Sequence, residues 1–105
     1  MEEDQRSTIS EVQLLSPREE IDILNDNVDV LVSFNDGREY LFVVGTPTNV
    51  YELMLKEGTK FYVGDPFLLV DAITEDNIRA AVEALVEEND GQWLDTYGTL
   101  QEKSE

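Results

Sequence analysis

At 105 residues the chain has length for one hydrophobic core but not two, and its 41% hydrophobic content is that of a globular domain rather than a disordered one. Seven basic against 24 acidic residues leave a net charge of −17, a field that repels nucleic acid and anionic membranes and attracts basic protein surfaces. Cysteine and histidine are both absent, which excludes thiolate zinc sites, nucleophiles activated by an imidazole base, and disulfide staples.

In chain order, residues 1–8 are polar and aperiodic and read as a disordered acidic tail. Residues 9–100 then read as one domain. Ile9, Val12, Leu14 and Leu15 suggest a short first strand. Ser16, Pro17 and Glu19 have the order of a helix cap, a first-turn proline and a capping-box acid, which predicts one or two helical turns ending before Asn25. Val28, Val30, Val32 and Phe34 alternate with Asp29, Leu31 and Ser33, and Tyr40, Phe42 and Val44 alternate on the far side of a turn, the pattern of a β-hairpin. Two registers fit. A three-residue loop of Asn35, Asp36 and Gly37 is preferred because it opposes Val32 to Tyr40 and puts Val28, Val30, Val32 and Phe34 on the same face as Tyr40, Phe42 and Val44, leaving Leu31 and Leu41 on the other.

Gly45 to Pro47 should break that strand. Asn49, with Glu52 three residues on, predicts a helix capped by Asn49 and closed by Gly58, lying against the sheet. Thr59 to Val63 and Phe67 to Val70 are β-prone runs around Gly64-Asp65-Pro66, forming a second hairpin or one kinked edge strand. Thr74 opens the strongest helical pattern, in which Ile73 can staple onto Ile78 and Ile78, Ala81, Val82, Leu85 and Val86 form an apolar stripe, with Arg79, Glu83, Glu87 and Glu88 facing away. Asn89 to Gly91 should stop it. Trp93, Leu94, Tyr97 and Leu100 form a last amphipathic segment, and residues 101–105 a second disordered tail. The fold expected is α+β: a single small domain of three to five mostly antiparallel strands with two or three helices packed on the sheet.

Motifs of chemistry fail on inspection. Asn25 to Asp29 offers alternating oxygen ligands, but Val30 stands where a calcium loop needs glycine and Asp36 where it needs a bidentate glutamate. Neither glycine-rich phosphate loop occurs. Pairs of carboxylates are uninformative among 24 acids, and Glu83, Glu87 and Glu88 are explained by a solvated helix face without any metal. The chain is therefore expected to be non-enzymatic, with no cofactor and no metal.

Charge without a catalytic site points to an acidic binding protein that masks a basic protein surface, as a toxin inhibitor, an immunity protein or a nucleic-acid mimic would. Glu83, Glu87, Asp90, Trp93 and Tyr97 are the candidate partner-binding residues: acids at the solvent side and end of the long helix, and the two aromatics after it. The alternative is a regulatory or structural subunit that forms a homodimer through an open sheet edge or the Leu31, Leu41, Val43 face, its acidity serving solubility alone. With no apolar leader or membrane-length run, the expected location is the cytoplasm.

Overall fold

The alternation from Val28 to Val44 builds the centre of the molecule. A computed structural model describes residues 8–64, 66–88 and 92–101. In it, β2 (Asn27–Phe34) and β3 (Glu39–Gly45) pair antiparallel with Val32 opposite Tyr40 and Leu31 opposite Leu41. The three-residue loop is confirmed: the Phe34 and Gly37 amides donate to the Arg38 and Phe34 carbonyls, and Gly37 takes φ 95°, a conformation that a side chain would strain. Because side chains alternate across a strand, one register buries Val28, Val30, Val32, Phe34, Tyr40, Phe42 and Val44 together.

β1 (Ile9–Leu14) adds antiparallel to β2, with an irregularity between Ile9 and Glu11. On the other side β3 has two neighbours, each pairing with a different half of it. β4 (Leu68–Leu69) lies parallel to Val44 and Gly45, whereas β5 (Gly98–Leu100) lies antiparallel to Tyr40, Leu41 and Phe42. The result is a five-stranded, mostly antiparallel sheet with α1 (Pro47–Glu57), α2 (Glu75–Glu87) and α3 (Trp93–Tyr97), an α+β domain.

The stripe of α2 covers the apolar sheet face. Ile78, Val82, Leu85 and Val86 are buried, Ala81 is half-buried against them, and Ile73 joins the same core below Ile78. Thr74 caps the helix through the Asn77 amide at 3.1 Å. Arg79, expected to face solvent, is half-buried and reaches the Ile9 carbonyl at 3.5 Å. The proposed stop at Asn89 to Gly91 lies outside the described residues.

Four expectations need correction. The segment after Ser16 makes a single 3-10 turn, Arg18–Glu20, with Pro17 in the capping position and no side-chain cap; Ile21 returns to extended backbone, so the turn cannot propagate. α1 is capped by Thr46, not Asn49, with Pro47 in its first turn. It ends at Gly58 as expected, and Val50, Leu53 and Met54, expected on its inner side, are half-buried, but none of its residues is fully buried. Thr59 to Val63 is not a strand: the edge of β3 is already divided between β4 and β5, and the Thr59 hydroxyl instead bonds the Phe61 carbonyl at 2.8 Å. Thr8 exchanges hydrogen bonds with Asn35, and the Gln101 amide donates to the Glu39 carbonyl at 2.8 Å. The rest of the two expected tails, residues 1–7 and 102–105, lies outside the described residues.

Candidate functional site

Two surfaces of opposite character compete for the role. The first is acidic. Glu75, Asp76, Glu83, Glu87 and Glu88 are exposed along α2, and Asp71 and Asp95 are exposed on either side of that helix in sequence. Arg38 pairs with Asp36 at 3.0 Å, and with seven basic against 24 acidic residues the chain's own cations neutralise little of this field. Among the described residues no cluster of three or more carboxylates could hold a metal ion.

Of the expected binding residues, Glu83 and Glu87 sit one helical turn apart and exposed on α2. Tyr97 is different. It ends α3 half-buried, packed against the core, and lines a cleft on which Glu83 and Glu87 do not border. Trp93 opens α3, and Asp90 lies outside the described residues. Two of the acids thus lie on α2, and Tyr97 lines the cleft.

That second surface is apolar. Val50 of α1, Tyr62, Val63, Gly64, Pro66, Phe67, Leu69 and Tyr97 line an open cleft of about 470 Å³. After Gly58 the chain turns back beside α1, which brings Tyr62 and Val63 to Val50 in the first turns of that helix. Tyr62 stacks on Phe67 with ring centroids 5.3 Å apart. Tyr51 and Leu55 are exposed one turn apart on α1, Phe61 is exposed beside Tyr62, and Leu69 is exposed on β4. Since Leu68 is buried next to Val44, Leu69 lies on the same outer sheet face as Leu41 and Val43, which are only half-buried.

Besides the half-buried Val50, Leu53 and Met54, polar groups hold α1 in place. The Thr46 hydroxyl, fully buried, accepts from the Asn49 amide at 3.3 Å and the Asp26 amide at 3.4 Å. Asn27 donates to the Asn49 side chain at 2.7 Å, Asn49 to Asn25 at 3.4 Å, and Asn25 to the Glu52 carboxylate at 3.1 Å. The Asn25 to Asn27 segment, with its calcium-like spacing, is thus a polar staple between the loop before β2 and the first turns of α1.

Sequence reasoning placed Phe61, Tyr62, Val63 and Leu69 in β-prone runs and gave Tyr51 and Leu55 no role. A signal was available in the local charge. From Tyr40 to Val70 the chain has three acids and two lysines, a net −1 within a total of −17. Acids are sparse in this continuous stretch of the sequence, and it carries six of the ten exposed large hydrophobic side chains among the described residues.

At the opposite end of β3, Tyr40 packs edge-on against Phe34 with Arg38 over both rings. Its hydroxyl donates to Asp95 at 3.4 Å, and Arg38 donates to it at 3.5 Å. Burial pushes this phenol above its ordinary value, and the Asp95 carboxylate raises it further against the opposing pull of Arg38. The group ties α3 to the sheet.

Comparison with known proteins found no matching family model, no matching curated protein and no matching solved structure. No described helix is long and apolar enough to cross a membrane.

Proposed function

We propose that this chain is a non-enzymatic acidic binding protein whose partner presents a basic protein surface. The observation that carries the reading is the outward, weakly compensated charge: −17 over 105 residues, with exposed carboxylates along α2 and seven basic against 24 acidic residues. Such a field accelerates encounter with a cationic surface and disfavours nucleic acid or anionic lipid. Masking of a toxin, a nuclease or another cationic protein is the form of activity that fits. The face of α2 that bears Glu83 and Glu87 is the place where a basic groove would be received.

Capture from native lysate at low ionic strength should recover a protein with a basic binding face. Its association rate should fall steeply as the Debye length shrinks from ~10 Å at 0.1 M salt to ~3 Å at 1 M. Glu83→Lys with Glu87→Lys should slow that association while leaving the thermal midpoint nearly unchanged, because both side chains are exposed. A partner whose association rate ignores both salt and these reversals would refute the reading.

A further inference from the structure

The apolar surface of α1 and its returning segment needs an occupant, and the charge distribution argues for which. We infer that it is a homodimer interface: a second copy of this chain docks there by two-fold symmetry, α1 against α1. The inference does not rest on the basic-partner reading, which concerns a different face.

Six large side chains on α1, the segment after it and β4, Tyr51, Leu55, Phe61, Tyr62, Val63 and Leu69, keep between 37% (Tyr62) and 84% (Val63) of their area in water; Tyr62, Val63 and Leu69 line the cleft, and Leu55 lines a second groove along α1 with Glu52 and Lys56. Exposed apolar side chains gathered about a cleft mark an interaction site on a small domain, and interface centres are enriched in aromatics and depleted in charge. What distinguishes the possible occupants is electrostatic. A basic partner gains least here, because the stretch from Tyr40 to Val70 carries −1 of the chain's −17 and two of its lysines, Lys56 and Lys60. For a second −17 chain the preference reverses: this is the stretch where two copies approach with the least repulsion.

The exposed face of α1 is also self-complementary. Glu52 and Lys56 are exposed one turn apart, beside Tyr51 and Leu55. A two-fold axis running antiparallel helices past one another sets each Glu52 beside the other copy's Lys56, since in an isologous interface every contact is made twice. Asn25 already holds the Glu52 carboxylate from behind at 3.1 Å. The apolar side chains of the two copies meet between these charge pairs.

Repulsion between the remaining acids gives this dimer a signature opposite to that of a complex with a basic partner: salt should tighten it. Sedimentation equilibrium of the full chain should show a monomer–dimer equilibrium whose dissociation constant falls by about threefold or more between ~0.1 M and ~1 M salt as like-charge repulsion is screened. Leu55→Glu and Tyr62→Glu should each raise the constant by about tenfold or more, roughly the loss of one well-buried anchor, with circular dichroism unchanged. Glu52→Lys should weaken the dimer, and adding Lys56→Glu should restore it, because the swapped pair is again complementary across the axis. A chain that stays monomeric at both salt concentrations would overturn the inference. So would a dimer that salt loosens, or one that Leu41→Glu breaks while Leu55→Glu and Tyr62→Glu leave it intact.

Discussion

α1 and α2 begin alike and end in different circumstances. Both are capped by a threonine whose hydroxyl accepts from an asparagine amide three residues on, Thr46 from Asn49 and Thr74 from Asn77, and their lengths are close, 11 and 13 residues. Yet α2 buries four residues and α1 none. The cap starts a helix without deciding what the helix packs against. That depends on the width of the apolar stripe and on whether a sheet face is available to receive it. α2 takes the one continuous apolar face of β2 and β3. α1, in the crossover from β3 to parallel β4, is pinned at its first turns by the Asn25, Asn27 and Asn49 side chains, and its flank stays open.

The contrast can be broken most severely through the core. Leu85→Ala in α2 should cost about 2–5 kcal/mol, combining lost burial with a residual cavity, whereas Leu55→Ala in α1 should change stability by less than about 0.5 kcal/mol, as exposed substitutions do. Urea titration of both variants at a protein concentration low enough to keep the chain monomeric would show this. Similar losses for the two would mean that α1 is packed as tightly as α2.

A smaller but sharper effect is expected at Gly98, where α3 passes into β5. Its φ is −123°, so it is not there for conformational freedom. Space is the reason: a Cβ would stand 2.6 Å from Cε1 of Phe42 and 3.1 Å from the Leu94 carbonyl oxygen. Phe42 is fully buried and cannot retreat, so Gly98→Ala should cost about 1–3 kcal/mol through overpacking. A neutral result in the same titration would show that β5 can lift from β3 without disturbing the core.

The two caps offer a matched pair. Thr46→Ala and Thr74→Ala should each cost about 0.5–2 kcal/mol, with Thr46→Ala the more costly because its buried hydroxyl also serves the Asp26 amide. Equal losses would argue that the polar staple contributes little to holding α1. The mildest effect should appear at alkaline pH. A phenol that holds its proton more tightly in the folded chain stabilises the fold below the unfolded value near pH 10, and this contribution is lost as pH rises through the higher folded value. Tyr40→Phe should therefore flatten the fall in stability above about pH 10, measured by denaturation at stepped pH.

Much of this architecture was legible in the residues because local and long-range signals agreed there. The Val28 to Val44 alternation gave the hairpin, its register and its buried face, and the Ile78 to Val86 stripe gave the main helix. Elsewhere a local signal lacked a tertiary partner, or was read without one. Ser16, Pro17 and Glu19 spell a capping box, but the chain goes straight back to extended backbone at Ile21. Thr59 to Val63 has the β-propensity of a strand and no edge left to join. The outer surface was harder to read. Glu83 and Glu87 were placed correctly on the solvent side of α2, but the apolar patch depends on where the chain turns back after Gly58, and periodicity does not report that. Local charge balance does, and here it marks the patch that helical and strand patterns overlook.

The shared edge of β3 has a consequence for the chain as it is made. A seven-residue strand with an open side is a template for joining other chains, and here that side is closed by two short pieces, Leu68–Leu69 and Gly98–Leu100, that arrive about thirty residues apart. During synthesis at ~5–20 residues per second, the stretch beside Tyr40, Leu41 and Phe42 stays uncovered for seconds after the hairpin has emerged, awaiting residues that lie beyond the last helix. The high negative charge suits this interval, since mutual repulsion keeps nascent copies apart while half of a strand edge is exposed. The charge then has a use while the sheet is being completed, before the last strand closes the edge.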